Sequence, residues 1–263
     1  MIKLDGVIVE QKHFGDNTLN LKLDPDIYFN YKTRKISWLY ENDAELFTII
    51  CLAKKFSNYD LYLDLYYLPH ARMDRVKNHE DVFTLKYFCE IINSLNFKRV
   101  TVLDPHSDVG PALLNNVIVL NPKIFINNVI NQMSEDIVVV FPDNGAEKRY
   151  SSLIPNNIKF TYCVKHRDWK TGRISDLTLM NPEMVKGKPV LIIDDICSYG
   201  GTFDRAANAI IEAGAAEVYL YVTHCEDNIF KGNLLKNPNI KKVYTTNTIL
   251  HSQSEKIEFI SNF

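Results

Sequence analysis

The 263-residue chain lacks a strong excess of either charge: 30 basic residues against 32 acidic ones leave a formal net charge of −2. No overall field therefore draws it to nucleic acid or to an anionic membrane, and any anion binding has to come from local clusters. Cysteine pairs at C-x-x-C spacing are also missing. The five cysteines, Cys51, Cys89, Cys163, Cys197 and Cys225, are odd in number and far apart. That argues against a zinc site or a redox motif and for reduced thiols in a cytoplasmic protein. The longest apolar runs fall well short of the roughly 20 residues that span a bilayer, and Met1-Ile2-Lys3-Leu4-Asp5 has no signal-peptide pattern. Neither G-x-x-x-x-G-K-S/T nor G-x-G-x-x-G occurs anywhere. A P-loop NTPase, a protein kinase and a Rossmann dehydrogenase are thereby disfavoured. There is no low-complexity stretch and no long linker.

What is present is the patterning of a folded globular protein, 46% hydrophobic. Helix and strand patterns alternate. The spacing predicts helices over 45–56, 80–95 and 202–213, and short apolar strands over 61–68, 99–103, 136–141, 189–193 and 217–223. Asn17–Leu23 alternates ahead of Asp24-Pro25-Asp26, which predicts a hairpin within 17–40. Fully apolar strands separated by helices argue for parallel sheets covered on both faces. The expected fold is α/β, with two similar doubly wound lobes and mainly parallel sheets, an N-terminal lobe over 1–123 and a C-terminal lobe over 124–263.

In open α/β sheets the ligand sits beyond the carboxyl ends of the strands. Four such ends carry ionisable residues: Pro69-His70-Ala71-Arg72, Asp104-Pro105-His106, Pro142-Asp143-Asn144-Gly145 and Asp194-Asp195. The last opens the most informative stretch. The strand 190–193 delivers Asp194-Asp195, then Ile196-Cys197-Ser198-Tyr199-Gly200-Gly201-Thr202 leads into a helix. Adjacent carboxylates can accept hydrogen bonds from two vicinal hydroxyls. Glycines let backbone N–H groups approach a phosphate, and a helix N-terminus favours negative charge. Ser198 and Thr202 are candidate hydroxyl donors. The chemistry suits a sugar phosphate.

This string resembles the phosphoribosyl-binding signature shared by phosphoribosyltransferases and ribose-phosphate pyrophosphokinases. Three upstream segments favour the second family. Pro69-His70-Ala71-Arg72-Met73-Asp74-Arg75 is similar to its P-Y-A-R-Q-D-R/K, Asp104-Pro105-His106-Ser107 to its D-L-H-A/S, and Phe141 to Arg149 to its S-P-D-x-G-x-x-K-R. Lys165-His166-Arg167 resembles the start of its mobile catalytic loop, and Phe14-Gly15-Asp16-Asn17-Thr18 its F-x-D-G-E. The resemblance runs from about residue 14 to 260.

The resemblance implies transfer of the diphosphate of ATP to ribose 5-phosphate, in nucleotide biosynthesis, with Mg2+. It implies ATP contacts at Phe14, Asp16, Thr18, Arg72, Met73, Asp74 and His106. Ribose 5-phosphate would meet Arg167, Asp194, Asp195, Ser198, Tyr199, Gly200, Gly201 and Thr202. Metal would be placed by His106, Asp143 and Asp104, and Lys165 and Arg167 would be catalytic. It also implies a homo-oligomer, a dimer at least and as large as a hexamer, with no nucleic-acid or membrane partner. Ser198 departs from the family's usual aspartate, Met73 from glutamine and Asn17-Thr18 from Gly-Glu, and the chain is shorter than the family at both ends. Two alternatives stand beside this reading: a phosphoribosyltransferase acting on a nucleobase, and a non-catalytic regulatory homologue.

Overall fold

The computed structural model describes residues 1–24, 32–134, 136–167, 174–261 and 263, with the backbone alone for 165–167 and 174–176. The chain divides into two compact units, Met1–Asn121 and Pro122–Phe263.

The first unit holds a sheet of six strands, β1 (Ile2–Leu4), β2 (Val7–Ile8), β5 (Thr33–Trp38), β6 (Asp60–Leu65), β7 (Arg99–Leu103) and β8 (Val117–Leu120), in the order β2-β1-β5-β6-β7-β8. From β5 to β8 the pairing is parallel, and β1 runs antiparallel to both its neighbours. A separate hairpin joins β3 (Gln11–His13) to β4 (Leu19–Leu21). One face of the sheet carries the apolar core. Ile36 and Trp38, Leu61, Leu63 and Leu65, and Val100 and Val102 occupy alternate positions. They pack against Ile49 and Leu52 of α1 (Glu45–Lys55) and Phe88 and Ile92 of α2 (Thr84–Ser94). A short helix, α3 (Val109–Leu113), follows β7.

The second unit adds α4 (Lys123–Ile130), β9 (Val138–Phe141), α5 (Asn144–Tyr150), β10 (Lys159–Arg167), β11 (Ile174–Leu179), β12 (Pro189–Cys197), α6 (Gly201–Glu212), β13 (Glu217–Cys225), β14 (Ile240–Thr245) and β15 (Ile257–Phe259). The sheet order is β11-β10-β9-β12-β13-β14-β15, parallel throughout except for the β10–β11 pair. Successive residues of the central strands enter different cores. Val138, Val140, Val190 and Ile192 pack with Phe203, Ala206 and Ile210 of α6, whereas Val139, Phe141, Leu191 and Ile193 pack with Ile126 and Val129 of α4 and Tyr150 of α5. This is why these strands read as unbroken apolar runs: both faces are covered by helices.

Several predicted boundaries move. The strand at 189–193 continues through the acidic pair to Cys197, because Asp194, Ile196 and Cys197 stay in register with Val222, His224 and Cys225 of β13. The second helix begins at Thr84 rather than 80, since the Asp81 carboxylate accepts hydrogen bonds from the backbone of Lys77 and Asn78 (2.8 and 2.9 Å) and so holds a turn there. The hairpin closes earlier than expected, through 14–18, with Asn17 in the left-handed region at φ 63°. Of the predicted turn, Pro25-Asp26 lies outside the described residues.

Glu45 ties the hairpin to the first unit's core. Its buried carboxylate accepts hydrogen bonds from Trp38 Nε1 and Glu41 N, both at 2.8 Å, from the Met1 amine at 2.7 Å and from Gln11 Nε2 of β3 at 3.4 Å. Burial opposes its ionisation, but these donors outweigh it and hold its pKa below the ordinary value. A carboxylate of lowered pKa stabilises the fold above its unfolded pKa, and that stability is lost as pH falls through the folded value. Glu45→Ala should therefore cost about 3 kcal/mol near neutral pH by stranding buried donors. The deficit relative to wild type should shrink in acid, as read from denaturant midpoints at the two pH values.

Candidate active site

In the second unit the chain passes from β9 outward to β10 on one side, then returns to place β12 on the other side of β9. The strand order thus reverses between β9 and β12, and a crevice opens at the carboxyl ends of such a pair. Asp143 lies just beyond β9, and Asp194 and Asp195 lie near the end of β12. The crevice is accordingly rich in carboxylates.

The three acids are held differently. Asp143 caps α5: its Oδ1 accepts from the N–H groups of Gly145 and Ala146 at 2.9 and 3.0 Å. Asp195 is buried, accepts from its neighbour Ile196 N at 2.8 Å and pairs with Arg149 of α5 at 3.1 Å. The Asp194 carboxylate is pushed well above its ordinary pKa, first by burial, then by the charge of Asp195 and, further off, that of Asp143. Its one favourable local contact among these is the backbone N–H of Asp195 at 3.0 Å. The fold therefore disfavours charge on Asp194 and does little to compensate it.

Beyond Cys197 the chain turns through Ser198 and Tyr199 into α6. Gly200 adopts φ 77°, a left-handed conformation that glycine tolerates and other residues rarely do. A Cβ at Gly200 would also meet Leu234 at 2.8 Å, whereas one at Gly201 would meet nothing within 4 Å. The loop is closed on its Gly200 side and open at Gly201, where α6 begins. The first N–H groups of a helix have no intrahelical acceptor. Together they make a cradle for a phosphate, next to the acidic pair. Thr202 is half-buried in the first turn, and Tyr199 is exposed.

The hydroxyl of Ser198, a candidate donor to a phosphate, donates to Glu226 Oε2 at 2.5 Å, which engages its single proton. Arg149 closes the 141–149 motif but was given no role there, and Glu226 and the segment 227–236 were not singled out from the sequence. Glu226 follows β13 directly, so the strand-end rule would have found it had that strand been drawn to its full length.

Lys165 and Arg167 lie on β10, opposite Leu177 and Ile174 of β11, with a register shift between His166 and Arg167. Their side chains, and residues 168–173, lie outside the described residues.

In the first unit, the segment around Arg72 and the Asp104–Ser107 segment are joined by Asp74. This buried carboxylate takes two hydrogen bonds from Arg75 (2.6 and 2.9 Å) and one from Ser107 Oγ (2.7 Å). Those bonds, Arg75 foremost, bring its pKa down to about 2. Asp74 thus holds two loops together, while Arg72, Met73 and His106 stand exposed beside it. Asp104 is buried and, like His70, adopts positive φ, at 41° and 63°. On the hairpin, Phe14 is exposed, and Asp16 Oδ1 accepts from the Thr18 N–H and hydroxyl at 3.0 and 2.7 Å. A cleft of about 430 Å³ lies nearby, lined by Gln11, His13, Thr18, Asn42, Phe47 and Thr48 among others. Among the described residues no three metal-binding side chains converge.

The raised pKa of Asp194 has a measurable consequence. A carboxylate whose folded pKa exceeds its unfolded value leaves stability intact below the unfolded pKa and lowers it as pH rises through the folded pKa. In buffer containing a chelator and no ligand, Asp194→Asn should raise the melting temperature at pH 7 by about 2 °C or more, with little gain at pH 4. A melting temperature unchanged or lowered at pH 7 would contradict this picture of the crevice.

Residues 123–259 match the model of the phosphoribosyl transferase domain. The ribose-phosphate pyrophosphokinase of Sulfurisphaera tokodaii is 28% identical over 256 residues, covering 94% of this chain and 86% of that protein. Its counterpart in Bacillus subtilis is 30% identical over 226 residues, covering 83% and 69%. Among solved structures, the phosphoribosylpyrophosphate synthetase of Mycobacterium smegmatis superposes with a TM-score of 0.75 at 19% identity, over 97% of this chain and 87% of that one, and so shares the fold.

Proposed function

The chain belongs to the ribose-phosphate pyrophosphokinases, and on that footing we propose that it transfers the diphosphate of ATP to the anomeric hydroxyl of ribose 5-phosphate, giving phosphoribosyl pyrophosphate and AMP. The observation that carries the reading is the pair Asp194-Asp195 at the strand-order reversal, immediately ahead of the open cradle at Gly201. The relationship to the Sulfurisphaera protein extends over 94% of the chain, well beyond the phosphoribosyl transferase domain. That extent favours the pyrophosphokinase over a transferase acting on a nucleobase.

In this reading Asp194 and Asp195 accept hydrogen bonds from the ribose hydroxyls. The N–H groups of Tyr199 to Thr202 take the 5-phosphate, assisted by the Thr202 hydroxyl. The anomeric oxygen attacks the β-phosphorus of ATP in line, the bond to the α-phosphate oxygen breaks, and AMP departs. Arg72, Met73 and His106 face ATP, with Asp74 as their anchor and the hairpin residues Phe14, Asp16 and Thr18 assigned to the base of a nucleotide. Lys165 and Arg167 oppose the negative charge that builds up during transfer.

The donor set fits a hard divalent cation. Carboxylate oxygens dominate the sugar side, and Mg2+ is commonly held by one or two carboxylates together with substrate phosphates and water. Asp143 would hold it there, and His106 with Asp104 on the nucleotide side. Bound Mg2+ would neutralise the phosphates and fix their geometry for transfer. The resistance of Asp194 to ionisation is the local feature that such a cation, or the hydroxyls of the sugar, would relieve. No helix among the described residues is long and apolar enough to cross a membrane, and the reading is of a cytoplasmic homo-oligomer, at least a dimer.

The test is direct. Protein, Mg2+, ATP and ribose 5-phosphate should give AMP and phosphoribosyl pyrophosphate in equal amounts, and omission of ribose 5-phosphate should abolish AMP. Lys165→Ala should lower kcat by about 100-fold or more, with little change in ribose 5-phosphate binding, as befits a contact made in the transition state. Near-normal turnover in that variant would remove Lys165 from the catalytic role.

A further inference from the structure

Three consecutive residues of the sugar-phosphate loop are each met by the segment that follows β13. Ser198 Oγ donates to Glu226 Oε2 at 2.5 Å, and Asn228 Nδ2 donates to the same oxygen at 3.0 Å. Gly232 lies so close to the loop that a Cβ there would sit 1.9 Å from the Tyr199 carbonyl oxygen. Leu234 blocks the space beside Gly200, as the 2.8 Å approach shows. The backbone joins in, with Glu226 N donating to Cys197 O at 2.8 Å. Two short 3-10 turns, Asp227–Lys231 and Leu234–Lys236, hold Asn228 and Leu234, and Glu226 and Gly232 flank the first of them.

We propose that Glu226 is a positioning residue for ribose 5-phosphate: its carboxylate anchors Ser198 and thereby fixes the direction of the Tyr199–Gly201 amides that receive the phosphate. An ionised carboxylate only accepts hydrogen bonds, so the Ser198 proton points away from the ligand and towards Glu226. The phosphate is then bound by backbone N–H groups and Thr202, and Ser198 acts through the shape of the loop. A charge-assisted hydrogen bond of this length is among the stronger ones. It is well suited to hold a glycine-containing loop that would otherwise sample many conformations. The cost is a negative charge near an anion site. Asn228 and Ser198, both donating to that one oxygen, temper it.

The inference rests on ribose 5-phosphate binding at this loop, so binding of ribose 5-phosphate by calorimetry is measured alongside turnover. Glu226→Ala should weaken ribose 5-phosphate binding, and raise its KM, by about 10-fold, with little change in the KM for ATP. Glu226→Gln should restore most of the affinity, because its amide oxygen still accepts from Ser198. Ser198→Ala removes the same bond with almost no change of volume and should reproduce the selective loss. Combined with Glu226→Ala it should add little further, since both delete one interaction. Ser198→Asp places two carboxylates face to face and should be worse than either alanine variant. Replacing Glu226 by Ser in that background should recover affinity.

Unchanged ribose 5-phosphate binding in Glu226→Ala and Ser198→Ala would overturn the proposal. So would equal losses for both substrates accompanied by a lower melting temperature, or additive losses in the double variant. A wild type that binds ribose 5-phosphate but forms no AMP would overturn the diphosphate-transfer reading alone. Wild-type turnover with indifferent Glu226 variants would overturn the positioning role alone.

Discussion

The concentration of carboxylates at the reversal of strand order is the constraint around which the second unit is arranged. Two adjacent aspartates near a strand end, with a third on the neighbouring strand's end, oppose one another's ionisation. Asp143 is compensated by N–H groups of the helix it caps, and Asp195 by Arg149 from that same helix. Asp194 receives least. Helix α5 therefore both packs, through Ala146 and Tyr150, and supplies positive counter-charge through its N-terminus and Arg149. The apolar runs of β9 and β12, buried on both faces, supply the rigidity that keeps the like charges from moving apart.

The anion cradle beside them depends on a second kind of constraint. A glycine loop is permissive, and only neighbours can make it specific. Here the neighbours are Leu234 against Gly200, the Gly232 backbone against Tyr199, and Glu226 against Ser198. Substituting Gly232 would therefore act on the loop although it lies 32 residues beyond Gly200 in the sequence. Of the two loop glycines, Gly201 is the open one, and on the proposed function the phosphate enters there.

How much of this was legible follows from the physics of each element. The central strands β9 and β12 were plain, because burial on both faces leaves long apolar runs, and β7 at 99–103 showed its core face in Val100 and Val102. The positions of Asp143, Asp194 and Asp195 near strand ends were legible, because such ends in an open α/β sheet are a short list of places. The extension of β12 through the acids was not visible, since hydrogen-bond register with β13, not hydrophobicity, carries it. The turn at Asp81 was masked by a sequence that otherwise reads as helical, and the side-chain bond that wins there is a local competitor to helix. The true bonding of Ser198 could not be read from its neighbours at all, because its partner is 28 residues away.

Two carboxylates summarise how the fold separates scaffold from site. Asp74 in the first unit is buried, takes three hydrogen bonds, and has its pKa drawn down to about 2. The protein itself supplies these donors, and through them Asp74 holds two loops together. Asp194 in the second unit is pushed in the opposite direction, by burial and by its acidic neighbours. What it lacks has to come from outside, as hydroxyl donors or a cation. Both are aspartates near strand ends or loop junctions in motif-like surroundings, and the sequence ranks them alike. The sign of the shift divides them: a lowered pKa marks a carboxylate whose interactions are complete, and a raised one marks where binding free energy is still to be gained. On the proposed function, Asp194 is where a sugar hydroxyl or a cation has most to compensate, whereas Asp74 is scaffold for the loop that carries Arg72.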